Sequence, residues 1–412
     1  MTSSWSERKL GDLIQINPDA LNKTYPYSEI EYLDISSVGT GYYTETCHLK
    51  LEEAPSRAKR LVSDGDTIIS TVRPGNKSYC YLKKTTPRMV VSTGFAVLRA
   101  KKDLLDERFL YYLVSNPAFT EYLVAHEKGA AYPAVGTETI ENAIVNIPDL
   151  PTQKKISDIL GSLDDKIELN RRMNETLEQM AMAQYKHWFV DFGPFQDGEF
   201  VESELGEIPS SWRVGRLGDI VSKINNSEKA GEHLENIPYV PIDELSSKSL
   251  MISGYKSGLE AKSSLIRFQR NDILFGAMRP YFHKVCIAPF DGITRSTCFV
   301  LRPRKNHYFS FSVLCLFSEQ TVAFATVNSK GSTIPYAVWD GSLADMKICI
   351  PEDEVLKEFD MIVSPMLEQI IRNFYEIKAL SETRDYLLPR LLSGEIEVRE
   401  AEEQVEEVLA HA

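Results

Sequence analysis

The sequence lacks the features that mark membrane, secreted and zinc-binding proteins. No run approaches the roughly 18 consecutive apolar residues that a membrane span requires, and the N-terminus lacks the apolar core of a signal peptide. The six cysteines form no C-x-x-C pair and the seven histidines form no H-x-x-x-H pattern, which argues against a zinc site and a disulfide framework. We therefore expect a reduced, cytoplasmic protein with no bound metal and no membrane association.

Motifs of DNA-modifying enzymes and molecular motors are also missing. No G-x-x-x-x-G-K-[ST] loop is present, and no N-P-P-[YF] motif of the kind that holds a flipped adenine. The acids Glu352, Asp353 and Glu354 stand at the start of a predicted helix, where they favour the positive end of the helix dipole and do not form a nuclease centre. The sequence therefore predicts a non-catalytic chain with no catalytic residues and no cofactor of its own.

The net charge of -13 is unevenly distributed along the chain. Residues 212–351 carry 17 basic and 12 acidic residues, a balance of +5, whereas residues 395–412 carry 1 and 7, a balance of -6. The acidic total therefore does not exclude a DNA-binding face, and it does not predict one either.

The sequence contains an internal repeat. The motif W-x4-L-G-D at Trp5 returns at Trp212, an offset of 207, and the later landmarks keep their order while the offset drifts to 202. Chance similarity would not preserve five landmarks in order, so the repeat indicates two duplicated domains. The other landmarks are GDTII and VRP (from Gly65 and Val72) with NDILF and MRP (from Asn271 and Met278), STGF with STCF (from Ser92 and Ser296), Gly129 and Pro133 with Gly331 and Pro335, and AIVNIP with MKICIP (from Ala143 and Met346).

Each copy divides into a globular part and a helix. The globular parts, 1–151 and 212–351, alternate short β-branched and aromatic runs with Gly, Pro and Asn, which predicts strands, long loops and one helix in a mixed α/β domain with a curled sheet. Residues 152–190 and 352–392 switch to helical periodicity. A linker over 191–211 and an acidic tail over 393–412 complete the predicted organisation.

The apolar residues of both helices recur every 3.5 positions and form a narrow seam that must be buried. Each helix could pack on its own globular part, but the spacing favours pairing of the two helices. Asn170 and Asn373 occupy the same repeat position, where a buried amide typically fixes register. Pro365 should kink or restart the second helix. The predicted seam residues are Leu163, Ile167, Asn170, Leu177, Met366, Ile370, Asn373 and Leu380.

The sequence resembles the specificity subunits of type I restriction–modification systems along essentially its whole length. The most specific similarities are HWFVDF, which begins at His187 and closes the first helix, and LLPRLLSGEI, which begins at Leu387 and closes the second. GSTIP, which begins at Gly331, also resembles the family pattern, whereas the first copy departs from it at the equivalent position.

The resemblance implies an α+β fold with two target recognition domains separated by two long antiparallel coiled-coil helices and related by a pseudo-two-fold repeat. Each domain would read one half of a bipartite, asymmetric site in double-stranded DNA. Two methyltransferase subunits carrying S-adenosylmethionine would dock on the helices, and restriction subunits that use ATP and Mg²⁺ would join them. Residues 163–188 would span roughly 38 Å as a helix, close to the 34–36 Å that separates half-sites by one DNA turn.

Two pairs of loops are candidate DNA contacts, because basic and amide side chains on loops can bind phosphates and base edges. Each pair consists of repeat-equivalent loops, and each could equally be an ordinary solvated turn. The first pair follows a strand in each copy, and the second contains a glycine that would allow close approach to a phosphate. The candidate residues are Arg73, Asn76, Lys77, Lys128 and Gly129, with Arg279, Tyr281, His283, Lys284, Lys330 and Gly331.

The alternative function is a coiled-coil scaffold that joins two protein-binding domains without DNA recognition. DNA affinity with a steep dependence on salt would distinguish the two functions.

Overall fold

The computed structural model describes residues 5–129 and 132–410, and the chain divides into two compact units. Unit 1 comprises Met1–Ile167 and Ala379–Ala412, and unit 2 comprises Glu168–Lys378. Each unit therefore contains one globular part and segments of both long helices. The mixed α/β class is confirmed, whereas the domain boundaries predicted above stay predictions.

Unit 2 broadly repeats the order of the elements of unit 1. The strands of unit 1 are β1 (Ser6–Lys9), β2 (Ile14–Ile16), β3 (Glu29–Leu33), β4 (Cys47–Lys50), β5 (Ala58–Leu61), β6 (Thr67–Ser70), β7 (Tyr79–Tyr81), β8 (Met89–Ser92), β9 (Phe95–Ala100) and β10 (Ile144–Ile147). Its short helices are α1 (Leu10–Leu13), α2 (Glu107–Ser115), α3 (Pro117–Ala125) and α4 (Thr137–Asn142). The long helix α5 (Leu150–Phe189) begins in unit 1 and ends in unit 2.

The strands of unit 2 are β11 (Phe200–Ser203), β12 (Gly206–Pro209), β13 (Arg213–Arg216), β14 (Val221–Ile224), β15 (Ser227–Glu228), β16 (Pro238–Tyr239), β17 (Lys256–Ser257), β18 (Leu265–Phe268), β19 (Ile273–Gly276), β20 (Val285–Ile287), β21 (Gly292–Arg295), β22 (Cys298–Pro303) and β23 (Lys347–Ile350). Its short helices are α6 (Leu217–Ile220), α7 (Phe309–Phe317) and α8 (Glu319–Val327). The second long helix α9 (Asp353–Ser393) begins in unit 2 and ends in unit 1, and α10 (Val398–Ala410) follows it in unit 1.

Each unit contains two main sheets, so the single curled sheet predicted from the sequence is wrong. In unit 1 the strand orders are β2-β9-β6-β7 and β4-β3-β8-β5, and in unit 2 they are β14-β22-β19-β20 and β15-β18-β21-β16-β17. One parallel pairing occurs in each unit, β3 with β8 and β16 with β21, and the other pairings are antiparallel. Short β-branched strands do not reveal whether they share one sheet, because their partners are distant in sequence.

Side chains from both sheets of unit 1 meet in one buried cluster, and Ile30, Tyr32, Ala58 and Val90 of the second sheet form another. Ile68 and Val97 come from one sheet and Leu33 and Val91 from the other, and all four are buried in the same cluster. Strands β6, β8 and β19 are buried along their full lengths. These strands read as continuous hydrophobic or small-residue runs for this reason, because neither face meets solvent.

Asp66 and Asp272, from the repeated GDTII and NDILF landmarks, each form an ion pair with an arginine of a later strand, Arg99 or Arg302. Asp66 binds Arg99 Nε at 2.8 Å in unit 1, and Asp272 binds Arg302 Nε at 2.6 Å in unit 2. Each carboxylate also accepts a backbone N–H, from Ser63 or from Gln269. Both aspartates are 1% exposed, so removal of either arginine would leave a buried charge without its partner. These landmarks are therefore structural.

Segments of the two long helices pack on each other within each unit. In unit 1, Arg384 Nη1 of α9 donates to Asp164 Oδ1 of α5 at 2.8 Å. In unit 2, Asn373 Nδ2 donates to Asn174 Oδ1 at 2.7 Å, while the ring of Phe189 lies 4.6 Å from that of Phe359. A later residue of α5 contacts an earlier residue of α9, so the two segments of unit 2 run antiparallel.

The helix does not restart at Pro365, because α9 continues through this residue, whereas the predicted kink stays a prediction. Pro365 is exposed, so its missing backbone donor does not create an unpaired group in the core. Within the described residues no single helix is long and apolar enough to cross a membrane, and one bent pair, Asn306–Phe317 with Glu319–Val327, passes by length and composition only.

The buried amides of unit 2 predict opposite effects of two substitutions. Asn373→Leu leaves Asn174 buried without its donor and should cost about 1–3 kcal/mol, whereas both amide atoms of Asn170 already lack a partner. Asn170→Leu should therefore raise the stability, by about 1 kcal/mol. Urea unfolding of the three proteins checks this prediction through the transition midpoints. Two midpoints that shift in the same direction would contradict it.

Candidate nucleic-acid interface

The predicted Arg-Pro loops, residues 73–77 and 279–284, have the same strained backbone in both units. Arg73 and Lys77 have φ values of 49° and 56°, and their equivalents Arg279 and His283 have values of 52° and 51°. Each loop closes in the same way, since the fifth residue donates its N–H to the carbonyl of the proline. A non-glycine residue in the left-handed region costs free energy, and such strain often accompanies a functional site.

The predicted Lys-Gly loops contact the Arg-Pro loops within each unit. The N–H of Arg73 donates to the Pro133 carbonyl at 2.8 Å, and the N–H of Arg279 donates to the Pro335 carbonyl at 2.7 Å. Two predicted loops, about 55 residues apart in sequence, are therefore joined in each unit. We call this arrangement the paired loops: 73–77 with 128–134 in unit 1, and 279–284 with 330–336 in unit 2. Residues 130 and 131 lie outside the described residues.

The two glycines are explained by the turn itself. Gly129 and Gly331 have φ values of 95° and 94°. A Cβ at Gly331 would lie 2.9 Å from the Ile334 carbonyl oxygen, and one at Gly129 would lie 3.1 Å from the Tyr132 carbonyl oxygen. Glycine is required at these positions whether or not a phosphate approaches.

The paired loops of unit 1 present polar and basic side chains. Arg73, Asn76, Lys77 and Lys128 are all exposed. The Arg73 guanidinium lies 5.8 Å from the ring centre of Tyr132, which is 76% exposed. An exposed arginine beside an exposed ring can bind a phosphate or stack on a base.

The paired loops of unit 2 present aromatic side chains in addition to a lysine. Tyr281 and Phe282 are about half exposed and their ring centres lie 4.8 Å apart, and Lys330 is also exposed. Arg279 is half-buried, and its Nε is buried without a hydrogen-bond partner in the structure. A buried guanidinium N–H without an acceptor is costly.

Two predicted contacts of unit 2 point inward. His283 is 8% exposed, and its Nε2 lies 2.8 Å from the Phe317 carbonyl oxygen. Burial lowers the pKa of this histidine, so the ring is neutral near pH 7. Lys284 is half-buried, and its Nζ donates to the Ile242 carbonyl at 2.9 Å. His283 Nε2 and one N–H donor of Lys284 are thus engaged within the protein, and contact of these two residues with DNA stays a prediction.

A segment braced by the helix α5 supports the Arg-Pro loop of unit 2. Glu178 Oε1 accepts hydrogen bonds from the N–H of Leu250 and from Ser249 Oγ, both at 2.8 Å. The N–H of the neighbouring Lys248 donates to the His283 carbonyl at 2.8 Å. The position of this loop thus depends on a carboxylate of the long helix, a link that the sequence does not reveal.

Most predicted seam residues are buried. Leu163 and Ile167 are buried in unit 1 together with Leu380, and Ile370, Asn170 and Asn373 are buried in unit 2. Leu177 and Met366 are only partly buried, and both pack against the core of unit 2. The aromatic signature at the end of α5 joins the same core, since the Phe189 ring lies 4.7 Å from that of Phe311 and 5.8 Å from that of Trp212.

Residues 2–179 and 209–378 match the family described as the type I restriction modification DNA specificity domain. The chain belongs to this family. The resemblance inferred from the repeat and from the helix-end signatures is therefore confirmed. The match falls into two segments, one for each copy, as the duplication requires.

Curated relatives resemble the chain over nearly its whole length. The type I restriction enzyme MjaIX specificity subunit of Methanocaldococcus jannaschii is 29% identical, covering 96% of this chain and 94% of that protein. The HindI specificity subunit of Haemophilus influenzae is 25% identical, covering 96% of this chain and 100% of that one. Among solved structures, the S subunit of a type I restriction-modification system from M. genitalium has a TM-score of 0.56 at 12% identity over 95% of this chain and 96% of that one, a likeness of fold.

Glu178 predicts a pH-dependent stability. Burial raises its pKa from 4.5 to about 7, despite its two hydrogen-bond donors. The native state therefore holds this proton more tightly than the unfolded chain, and the cost of ionisation develops as the pH rises from 4.5 and is complete above 7. Glu178→Gln should stabilise the protein by up to about 3 kcal/mol at pH 8 and change little at pH 4.

Urea unfolding midpoints at the two pH values measure this effect. Glu358→Gln, at an exposed position on α9, is the matched control and should leave the pH dependence as it is, because Glu358 does not contribute to the pKa of Glu178. Parallel pH profiles for wild type and Glu178→Gln would show that the assigned ionisation does not occur.

Proposed function

We propose that this chain is the sequence-specific DNA-binding specificity subunit of a type I restriction–modification complex. Each globular part would read one half of a bipartite, asymmetric site. The chain itself would carry no catalysis: S-adenosylmethionine, ATP and Mg²⁺ would belong to the methyltransferase and restriction subunits.

The observation that carries this proposal is the presence of the same paired loops in both units. Duplication preserves the left-handed conformation at Arg73 and Arg279 and the hydrogen bond that joins each Arg-Pro loop to its Lys-Gly loop. Conformational strain kept in two diverged copies favours a shared role over two unrelated turns. Exposed arginine and lysine side chains on such loops suit phosphate and base-edge contacts.

The side chains on this shared backbone differ between the units. Asn76 and Lys77 of unit 1 correspond to Phe282 and His283 of unit 2. An amide can bond to adenine, whereas an exposed aromatic ring can contact a thymine methyl group or stack on a base. The two half-sites should therefore differ in sequence.

The long helices would set the gap between the half-sites and provide the surface on which two methyltransferase subunits dock. The 40 residues of α5 and 41 residues of α9 are far longer than a helix that only closes a small domain. Exposed apolar side chains on these helices, including Leu169, Met180 and Met361, offer contacts to a partner.

Selection of duplexes from a random pool tests this function. The chain, assembled with its methyltransferase subunits, should enrich a split sequence with two different halves. Arg73→Ala should relax one half and Arg279→Ala the other, with a loss of about 1–3 kcal/mol of discrimination for each base contact. If either arginine binds phosphate instead, affinity should fall for all sequences and the salt dependence should weaken by about one ion.

Arg399→Ala is the matched control, because it removes the same charge from an exposed position on α10. Equal binding of every duplex at several salt concentrations would exclude sequence recognition. It would leave the scaffold without DNA recognition as the remaining alternative.

A further inference from the structure

A cleft in unit 2 is lined by aromatic rings and a lysine. It has a volume of about 320 Å³, and its lining includes Phe299, Tyr336, Trp339 and Lys223, with Asn225 and Ser296 among its polar residues. The rings of Tyr336 and Trp339 stand at 85° and 66° to that of Phe299. A volume of this size is at the lower end of the range for small-ligand sites, about 300–1,000 Å³.

Lys223 has no carboxylate partner in the part of the chain that the structure describes. Its ammonium lies 5.2 Å from the ring centre of Phe299, and the side chain is only half exposed. Asp340 also lines the cleft, but no ion pair joins it to Lys223. A partly desolvated ammonium beside an aromatic floor suits a ligand that combines a planar ring with an anion.

The cleft adjoins the paired loops. Tyr336 pairs through its backbone with Lys330 of the Lys-Gly loop and with Met278, the residue before Arg279. Its hydroxyl donates to the Ser296 carbonyl, which fixes the ring at the edge of the cleft. A nucleic acid bound at the paired loops would therefore pass the mouth of the cleft.

Unit 1 has other residues in place of two side chains that line this cleft. The equivalent of Lys223 is Ile16, since each pairs with the repeated leucine of the next strand, Leu301 or Leu98. The equivalent of Tyr336 is Ala134, since each pairs with the lysine of its Lys-Gly loop. The same backbone thus exists in this chain with and without the lysine and the tyrosine.

We propose that the cleft of unit 2 binds a nucleobase against the half-buried ring of Tyr336, beside the rings of Phe299 and Trp339, which are only 4% and 5% exposed, with the adjoining phosphate near Lys223. The base would come either from the bound DNA, turned out of the helical stack in the second half-site, or from a free nucleotide. The first source rests on the proposed DNA-reading function, and the second does not. Stacking on aromatic rings binds any base, so the site would add affinity more than sequence preference.

The test variants are Lys223→Ile and Tyr336→Ala, which introduce the residues that unit 1 carries at the same positions of its ladders. Both should therefore fold, as thermal unfolding checks. Lys262→Ile is the control, because it removes one exposed lysine from unit 2 without altering the cleft.

The first measurement scans the selected duplex with single abasic nucleotides. One abasic position in the half read by unit 2 should weaken binding of wild type and Lys262→Ile by at most about five- to 150-fold, the full value of one stacked base, because the missing base no longer has to be unpaired. The same position should have a much smaller effect on Tyr336→Ala. The second measurement is equilibrium dialysis against each of the four deoxynucleoside 5′-monophosphates, without DNA.

The results distinguish the sources. If an abasic position affects binding of wild type but not of the variants, the ligand is a DNA base. If no position does so, and the variants alone fail to bind a nucleotide, the ligand is a free nucleotide. If the chain binds nucleotides but selects no DNA sequence, the proposed function is rejected and the cleft assignment stands. If both variants match wild type in both measurements, the cleft assignment is wrong.

Discussion

A narrow apolar seam on each long helix imposes the constraint on which the rest of this chain depends. An isolated α5 or α9 would expose its apolar seam to water, so each unit must bring segments of both helices together. Unit 1 does so with Arg384 and Asp164, and unit 2 with Asn373 and Asn174. These polar contacts limit the register, because a shift of one helix by a turn would leave buried charged or amide groups without partners.

The amide contact also differs between the two copies of the repeat. Asn170 and Asn373 are separated by 203 residues, and the same offset relates Asn174 to Ile377. Asn373 therefore has an amide partner, whereas the equivalent contact for Asn170 would be an isoleucine without a hydrogen-bonding group. Both amide atoms of Asn170 are buried without a partner, as this asymmetry predicts. A symmetric backbone has thus accumulated asymmetric chemistry in its interior as well as on its loops.

Sequence reasoning succeeded where the signal was periodic or repeated. The seam predicted two helices to within a few residues of α5 and α9, and the repeat identified the equivalent loops, which share a conformation in the structure. It failed where the outcome depended on distant partners. The loop position of His283 suggested exposure, but the Phe317 carbonyl binds its ring. The landmark aspartates Asp66 and Asp272 gave no hint that they bind Arg99 and Arg302, since these partners lie about 30 residues away on another strand. The cleft at Lys223 could not be predicted, because its lining comes from four segments that are far apart in the sequence.

The central claim is that one duplicated backbone reads two different DNA sequences. Mapping methylated adenines in genomic DNA, from cells with and without this chain, measures the outcome directly. The account predicts methylation at a split site with two unlike halves and a gap of constant length, which disappears when the chain is removed. A continuous or palindromic site, or methylation that does not depend on the chain, would contradict it.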